Sequence, residues 1–124
     1  MGKIKIKPAD TLFSKLIRDR DNWTCVRCKT KYTPPTNALQ CSHFWGRGNK
    51  ATRFDKLNCD SLCYGCHALW EGNKQGEYRD FKLKQLGKKQ YDLLEKKARS
   101  TIHFGEYEFK QMAKELRENG LINR

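Results

Sequence analysis

Four cysteines in two C-x-x-C pairs, Cys25/Cys28 and Cys63/Cys66, are the most chemically specific feature of this sequence. Each pair presents two sulfurs from one tight turn, and the 34 residues between the pairs let both turns meet around one tetrahedral ion. Four thiolates leave a Zn2+ no open position for water, so its role would be structural. Binding at such sites contributes roughly 10 kcal/mol or more to folding. Two disulfides or a redox-active C-x-x-C are the competing readings, the second without a thioredoxin-like pattern around it. Cys41 and Cys59 fall in expected strands, where a small buried thiol is the ordinary assignment.

Between the knuckles stand Cys41-Ser42-His43 and Asn58, with His67 directly after Cys66. Imidazole has an ordinary pKa of about 6.5, suited to taking a proton near neutral pH. Each of these residues alone would be a surface, turn or core residue, and His103, outside the set, is left in that class. Arg47, Lys50, Arg53 and Lys56 lie in and beside a glycine-containing loop, placed to grip phosphates. Trp45 precedes Gly46 there, and either stacks on an exposed base, worth ~1–3 kcal/mol, or packs under its own loop. Arg27, Lys29 and Lys31 form a second basic cluster at the first knuckle.

Several elements must position these groups. Asp10 or Thr11 can cap a short helix with Leu12, Phe13, Leu16 and Ile17 on one face and Lys15, Arg18 and Arg20 outside. Pro34 and Pro35 keep 29–37 out of regular helix. Residues 38–44 are expected as a strand, 57–61 as a second, and a helix should begin near Cys66 or His67. Further helices follow, one carrying Phe81, Leu83, Leu86, Tyr91, Leu94 and Ala98, the last carrying Phe109, Met112, Ala113 and Leu116 before Gly120. Trp23 and Trp70 should pack near the zinc.

The 124 residues suit one domain, and with 37% hydrophobic against 32% charged residues the core is thin enough to need a staple. A net charge of +12 points to a polyanionic partner, nucleic acid first, although lysine-rich helices can also serve solubility alone. Residues 1–60 carry 13 basic and 5 acidic side chains, residues 61–124 carry 13 and 9, so the first half is the more basic. No segment approaches the ~20 apolar residues of a membrane span, and no signal-peptide pattern opens the chain. The expectation is an intracellular protein without membrane contact, whose close cysteine pairs meet metal in a reducing compartment.

The ordered set His43, Asn58, His67 resembles the strand–strand–helix motif of the HNH, or ββα-metal, endonucleases over about residues 23–75. The run His43-Phe44, Arg53-Phe54-Asp55, Asn58 and Cys63-x-x-Cys66-His67 is most similar to the phage recombination nucleases of the NinG/Rap kind, which act on branched DNA. The resemblance implies that His43 is the general base, worth ~100-fold or more in rate. It makes Asn58 a positioning group that ties the loop backbone, and His67 a ligand of a catalytic Mg2+ or Mn2+. Arg53 is the residue expected nearest the scissile phosphate. Ser42 replaces the acidic or histidine ligand that many members carry before the base. Glu71, one helical turn after His67, would then share the ion, with Asp55, Asp60, Cys41 or Ser42 as further candidates. Products with 5'-phosphate and 3'-hydroxyl ends follow from the same resemblance.

The fold class expected is therefore α+β, a small zinc-stapled ββα-metal core with an N-terminal helix and C-terminal helices. Residues 1–9 form a basic arm, 10–76 the zinc-bound nuclease core and 77–124 a helical extension of the same domain. The function expected is a metal-dependent DNA endonuclease, phage-derived and acting in recombination, in the cytoplasm of a bacterial host. DNA, branched or at a junction, is the partner, contacted by Arg47, Lys50, Lys56 and Trp45. A homodimer is expected where both strands are cut symmetrically. Two alternatives stay open: a non-catalytic zinc-stabilised DNA-binding module, and an HNH enzyme serving nicking, restriction or packaging.

Overall fold

Proline at a first helical position sets φ in advance and gives up an amide that would have had no partner, and helix α1 (Pro8–Arg20) begins in this way. In this computed structural model, which describes residues 5–101 and 104–119, the Asp10 carboxylate accepts the Lys7 backbone N–H at 2.8 Å. Asp10 is thus the third residue of the helix and not its cap. Pro8 and Ala9, assigned by sequence to the basic arm, belong to α1. The arm's first four residues, His103 and Gly120 lie outside the described residues.

Ala9, Phe13, Leu16 and Ile17 form the buried stripe of α1. Arg18 and Arg20, expected to face solvent, instead tie the helix to neighbouring chain. Arg18 donates to the Thr36 carbonyl at 3.0 Å, and Arg20 to those of Lys56 and Cys59 at 2.8 Å each. Bonds to backbone acceptors satisfy the donors of both long side chains, and Asp21 at 2.9 Å pairs the charge of Arg20.

Strand β1 (Leu39–His43) pairs antiparallel with β2 (Cys59–Cys63), His43 opposite Cys59 and Leu39 opposite Cys63. The second strand starts two residues later than its sequence suggests. Asp55 accepts the Leu57 amide at 2.9 Å, which closes Lys56–Asn58 into a 3-10 turn before the strand. Helix α2 (Tyr64–Glu71) then starts earlier than expected, because Cys63 is both the last strand residue and the helix N-cap.

One face of the two-stranded sheet packs on α1, where Cys41 and Cys59 join Phe13, Leu16 and Ile17. The two C-x-x-C turns lie with the other cluster, in which Cys25 and Cys66 pack with Leu39, Leu62, Trp70 and Tyr78. Trp70 stacks on Tyr78 of helix α3 (Gln75–Ala98) at 4.4 Å between ring centroids. Gly87 interrupts α3 with φ of 81°, a left-handed conformation that costs glycine little and other residues more. Helix α4 (Glu106–Asn119) covers α1, bringing Leu116 to the Phe13 cluster and Ala113 into the interior.

Under the sheet lies a buried polar network that the sequence pattern does not announce. Lys82 and Asp60, both 0% exposed, form an ion pair of 3.1 Å. Tyr78 Oη donates to the same carboxylate at 3.0 Å and Gln85 Nε2 at 3.1 Å. Removing one member of such a buried pair leaves the other charge uncompensated. Lys82→Met is therefore expected to cost about 3 kcal/mol in urea unfolding of the zinc-loaded protein. A loss under about 1 kcal/mol would show that Tyr78 and Gln85 suffice for Asp60.

Candidate functional site

The four knuckle cysteines converge. Their sulfurs all lie within 4.8 Å of one another, with Cys28 and Cys63 Sγ 3.8 Å apart. That spacing suits the edge of a tetrahedron with Zn–S bonds of about 2.3 Å, so this donor set fits Zn2+. Around it the Cys28 amide points to Cys25 Sγ at 3.5 Å and Arg27 Nη1 to Cys66 Sγ at 3.4 Å. Donors of this kind offset thiolate charge and orient the ligands. Arg27 is also held by Glu77 at 2.6 Å, which limits its availability as a phosphate contact. Cys63→Ser is expected to lose one equivalent of zinc relative to wild type by elemental analysis, with its four-thiolate Co2+ spectrum, and to lower the melting temperature by ~10 °C or more. A variant that kept the wild-type zinc content and stability would show that the sulfurs are not its ligands.

His43 ends β1 half-buried, beside Phe13 at 6.3 Å between ring centroids. Its Nε2 lies 3.0 Å from the Arg53 carbonyl oxygen, which can only accept, so Nε2 carries the hydrogen and Nδ1 the lone pair. Burial, reinforced by the nearby Arg47 charge, pushes the imidazole down to about 4. The ring is neutral at physiological pH.

Arg53 does not occupy the place its sequence position suggested. It is 5% exposed, and its guanidinium grips Asp10 through Nε at 2.9 Å and Nη2 at 2.6 Å. The bidentate pair consumes the donors that a phosphate would need, while the Arg53 carbonyl orients His43. Asp10 is the residue that sequence reasoning missed. Burial opposes its ionisation, yet hydrogen bonds from Arg53 and the Lys7 amide outweigh that and hold its pKa below the ordinary 3.8. Only its place in a helix's first turn was visible locally.

Asn58, 0% exposed, secures the loop between the strands. Its Oδ1 accepts the Trp45 amide at 2.7 Å, and its Nδ2 donates to the Trp45 and Thr52 carbonyls at 2.9 and 3.1 Å. On α2, His67 Nε2 lies 2.7 Å from Glu71 Oε1, while its Nδ1 meets Gln40 Oε1 at 2.7 Å. The i,i+4 spacing thus brings the two expected ligands together. His43 and Glu71 line one cleft of about 380 Å³, with Gln75 and Arg79 also in its wall. No third histidine, cysteine or carboxylate among the described residues joins His67 and Glu71 as a cluster. Mg2+ commonly keeps several waters and takes only one or two carboxylates, so Glu71 is the donor in this pair that suits such an ion, and the His67 imidazole suits a borderline ion better.

Of the other proposed ligands, the two carboxylates are engaged elsewhere. Asp60 belongs to the Lys82 network, and Asp55 pairs with Lys97 at 2.7 Å. Cys41 is buried against Phe13, Leu16 and Ile17, and Ser42 is buried beside Tyr78. Of the loop residues, Lys50 is exposed, Lys56 half-buried, and Arg47 approaches Asp10 at 3.8 Å. Trp45 is half-buried, with the Arg99 guanidinium 5.6 Å from its ring.

Histidine NMR on protein carrying one equivalent of zinc, at the four-cysteine centre, is expected to show His43 as the neutral Nε2–H tautomer down to near pH 4. The sign follows from burial, which disfavours the cation, so protonation should begin well below 6.5. An apparent pKa at or above 6.5 would mean that the ring is solvated.

Comparison with known proteins adds one finding. The family described as Bacteriophage Lambda NinG protein matches residues 3–120. No curated protein and no solved structure matches the chain. Among the described residues, no helix is long and apolar enough to cross a membrane.

Proposed function

The chain belongs to the bacteriophage lambda NinG family, and from that premise we propose that it is a metal-dependent DNA endonuclease of the HNH, or ββα-metal, kind, acting on branched DNA in recombination. The observation that carries this reading is the cleft holding His43 and Glu71, with Glu71 bound to His67 on α2. A neutral imidazole with a fixed tautomer and a carboxylate then open on one space, and His67 stands behind the carboxylate at 2.7 Å.

In this reading His43 Nδ1 accepts a proton from the water that attacks phosphorus. The Arg53 carbonyl holds the ring through Nε2–H and gains strength as positive charge develops on the imidazole. Asp10 serves at one remove, since it fixes the Arg53 side chain and with it the carbonyl's direction. Asn58 keeps the Trp45–Thr52 loop in place, so that Arg47, Lys50 and Lys56 can meet phosphates flanking the cut. His67 and Glu71 would hold Mg2+ or Mn2+, which when bound supplies charge stabilisation at the phosphate and leaving oxygen. The four-cysteine zinc would keep β2 and α2 joined at Cys63 and take no part in the reaction.

A non-catalytic DNA-binding module is the second reading, favoured by the absence of a third protein donor beside His67 and Glu71 among the described residues. Both are tested by incubating the full chain with supercoiled, linear and four-way-junction DNA in Mg2+ or Mn2+. Cleavage of the junction in preference to linear duplex, abolished by EDTA, is expected. His43→Ala should be slower by ~100-fold or more. Binding without cutting on every substrate would establish the module, and equal cutting by His43→Ala would remove the general base. Cutting without junction preference would favour nicking, restriction or packaging.

A further inference from the structure

We propose that Cys41, His43 and Cys59 form a second, soft-metal site, distinct from the four-cysteine centre, in which a thiophilic ion such as Zn2+ captures the imidazole that lines the cleft.

The register of the hairpin builds this site. Cys41 and His43 are two residues apart on β1 and so share a face, and Cys59 stands directly opposite His43 on β2. All three offered donor atoms lie within 4.8 Å of one another. A tetrahedral site with Zn–S bonds near 2.3 Å and a Zn–N bond near 2.0 Å has edges of roughly 3.5 to 3.8 Å, so contraction of at most about 1.3 Å completes it. The sulfurs are well shielded, Cys41 at 8% and Cys59 at 0% exposure beneath Phe13, Leu16 and Ile17. Access remains, because Cys41 also lines a cleft of about 430 Å³ shared with Asp10, Arg47 and His67.

The surroundings match what a ligating imidazole needs. Its Nε2–H is already given to the Arg53 carbonyl, an outer-shell contact that fixes the tautomer and leaves Nδ1 with the lone pair. Two thiolates and one imidazole select soft or borderline ions over Mg2+ and leave a fourth position open. Binding forms two metal–sulfur bonds and one metal–nitrogen bond, and releases the two thiol protons to solvent. Zn2+ with two thiolates is neutral overall, which suits an apolar setting better than a bare cation would. Neither thiol has a place in the proposed hydrolysis. The site itself is independent of the nuclease reading; only its consequence, that excess Zn2+ switches hydrolysis off by occupying His43, rests on that reading.

Metal content decides the matter in the full chain, loaded with Zn2+ or Co2+ and freed of excess ion by gel filtration. Wild type is expected to retain two equivalents and Cys41→Ser/Cys59→Ser one. With Co2+, the double variant should keep the four-thiolate spectrum and lose a second set of sulfur-to-metal bands. His43→Ala leaves both buried thiols in place and serves as a second variant should the double substitution disturb folding; it too should retain one equivalent, with the four-thiolate spectrum intact. One equivalent in wild type, or two in either folded variant, overturns the site. A parallel titration of Zn2+ into the Mg2+-dependent junction assay should inhibit wild type and spare Cys41→Ser/Cys59→Ser. If no DNA is cut by any form, the nuclease reading fails, while the metal counts still decide the site. If DNA is cut and zinc inhibits both forms alike, the switch fails although the nuclease stands.

Discussion

Every functional group in this protein takes its direction from the register of one short antiparallel pair. β1 and β2 are five residues each, and a slip of one residue would exchange the faces of all their side chains. In the observed register Cys63 comes opposite Leu39, at the point where strand becomes helix and sulfur meets the first knuckle. The same register sends Asp60 toward Lys82 and Tyr78 and leaves Cys59 facing His43. Two five-residue strands are marginal by themselves. Helices on both faces and the cysteine centre at one end supply what the hairpin lacks.

Charge is handled in the interior by pairing and not by exclusion. Asp10 with Arg53, and Asp60 with Lys82, place four ionised side chains in a protein of modest apolar content. Such pairs add little net stability over apolar packing, but each penalises arrangements that leave one member alone. The first joins α1 to the loop between the strands, and the second joins α3 to β2. Arg20 performs a related task with backbone carbonyls on both sides of Asn58. The loop that carries the basic residues is therefore anchored from several directions, although it has no regular structure over much of its length. Rigid support of this kind is what a positioned base requires.

His43 shows how the environment redefines a side chain. A carbonyl on one ring nitrogen, burial and an adjacent arginine together make it a neutral, oriented donor of one lone pair. That state suits a base in a cleft lined by the Glu71 carboxylate and equally a ligand beside two thiols. The metal that reaches it would govern which of the two it performs.

Local pattern carried a large share of this structure. The C-x-x-C spacing identified the four converging cysteines, the helical stripes identified α1, α3 and α4, and the four-residue interval joined His67 to Glu71. These features are local because turn geometry and helical period act over a few residues. Element ends were less legible: Asp55 shortened β2 by capping a turn, and Pro8 drew α1 into the supposed arm. The sequence by itself determined an α+β, cysteine-centred basic chain with His43, Asn58 and His67 in order. Only the tertiary structure decided that Arg53 turns inward to Asp10, that Lys82 is core, and that Cys41, His43 and Cys59 meet. Each of those outcomes joins residues far apart in sequence or across a strand pair, and the partner of a charge or thiol depends on which chain segment folds against it.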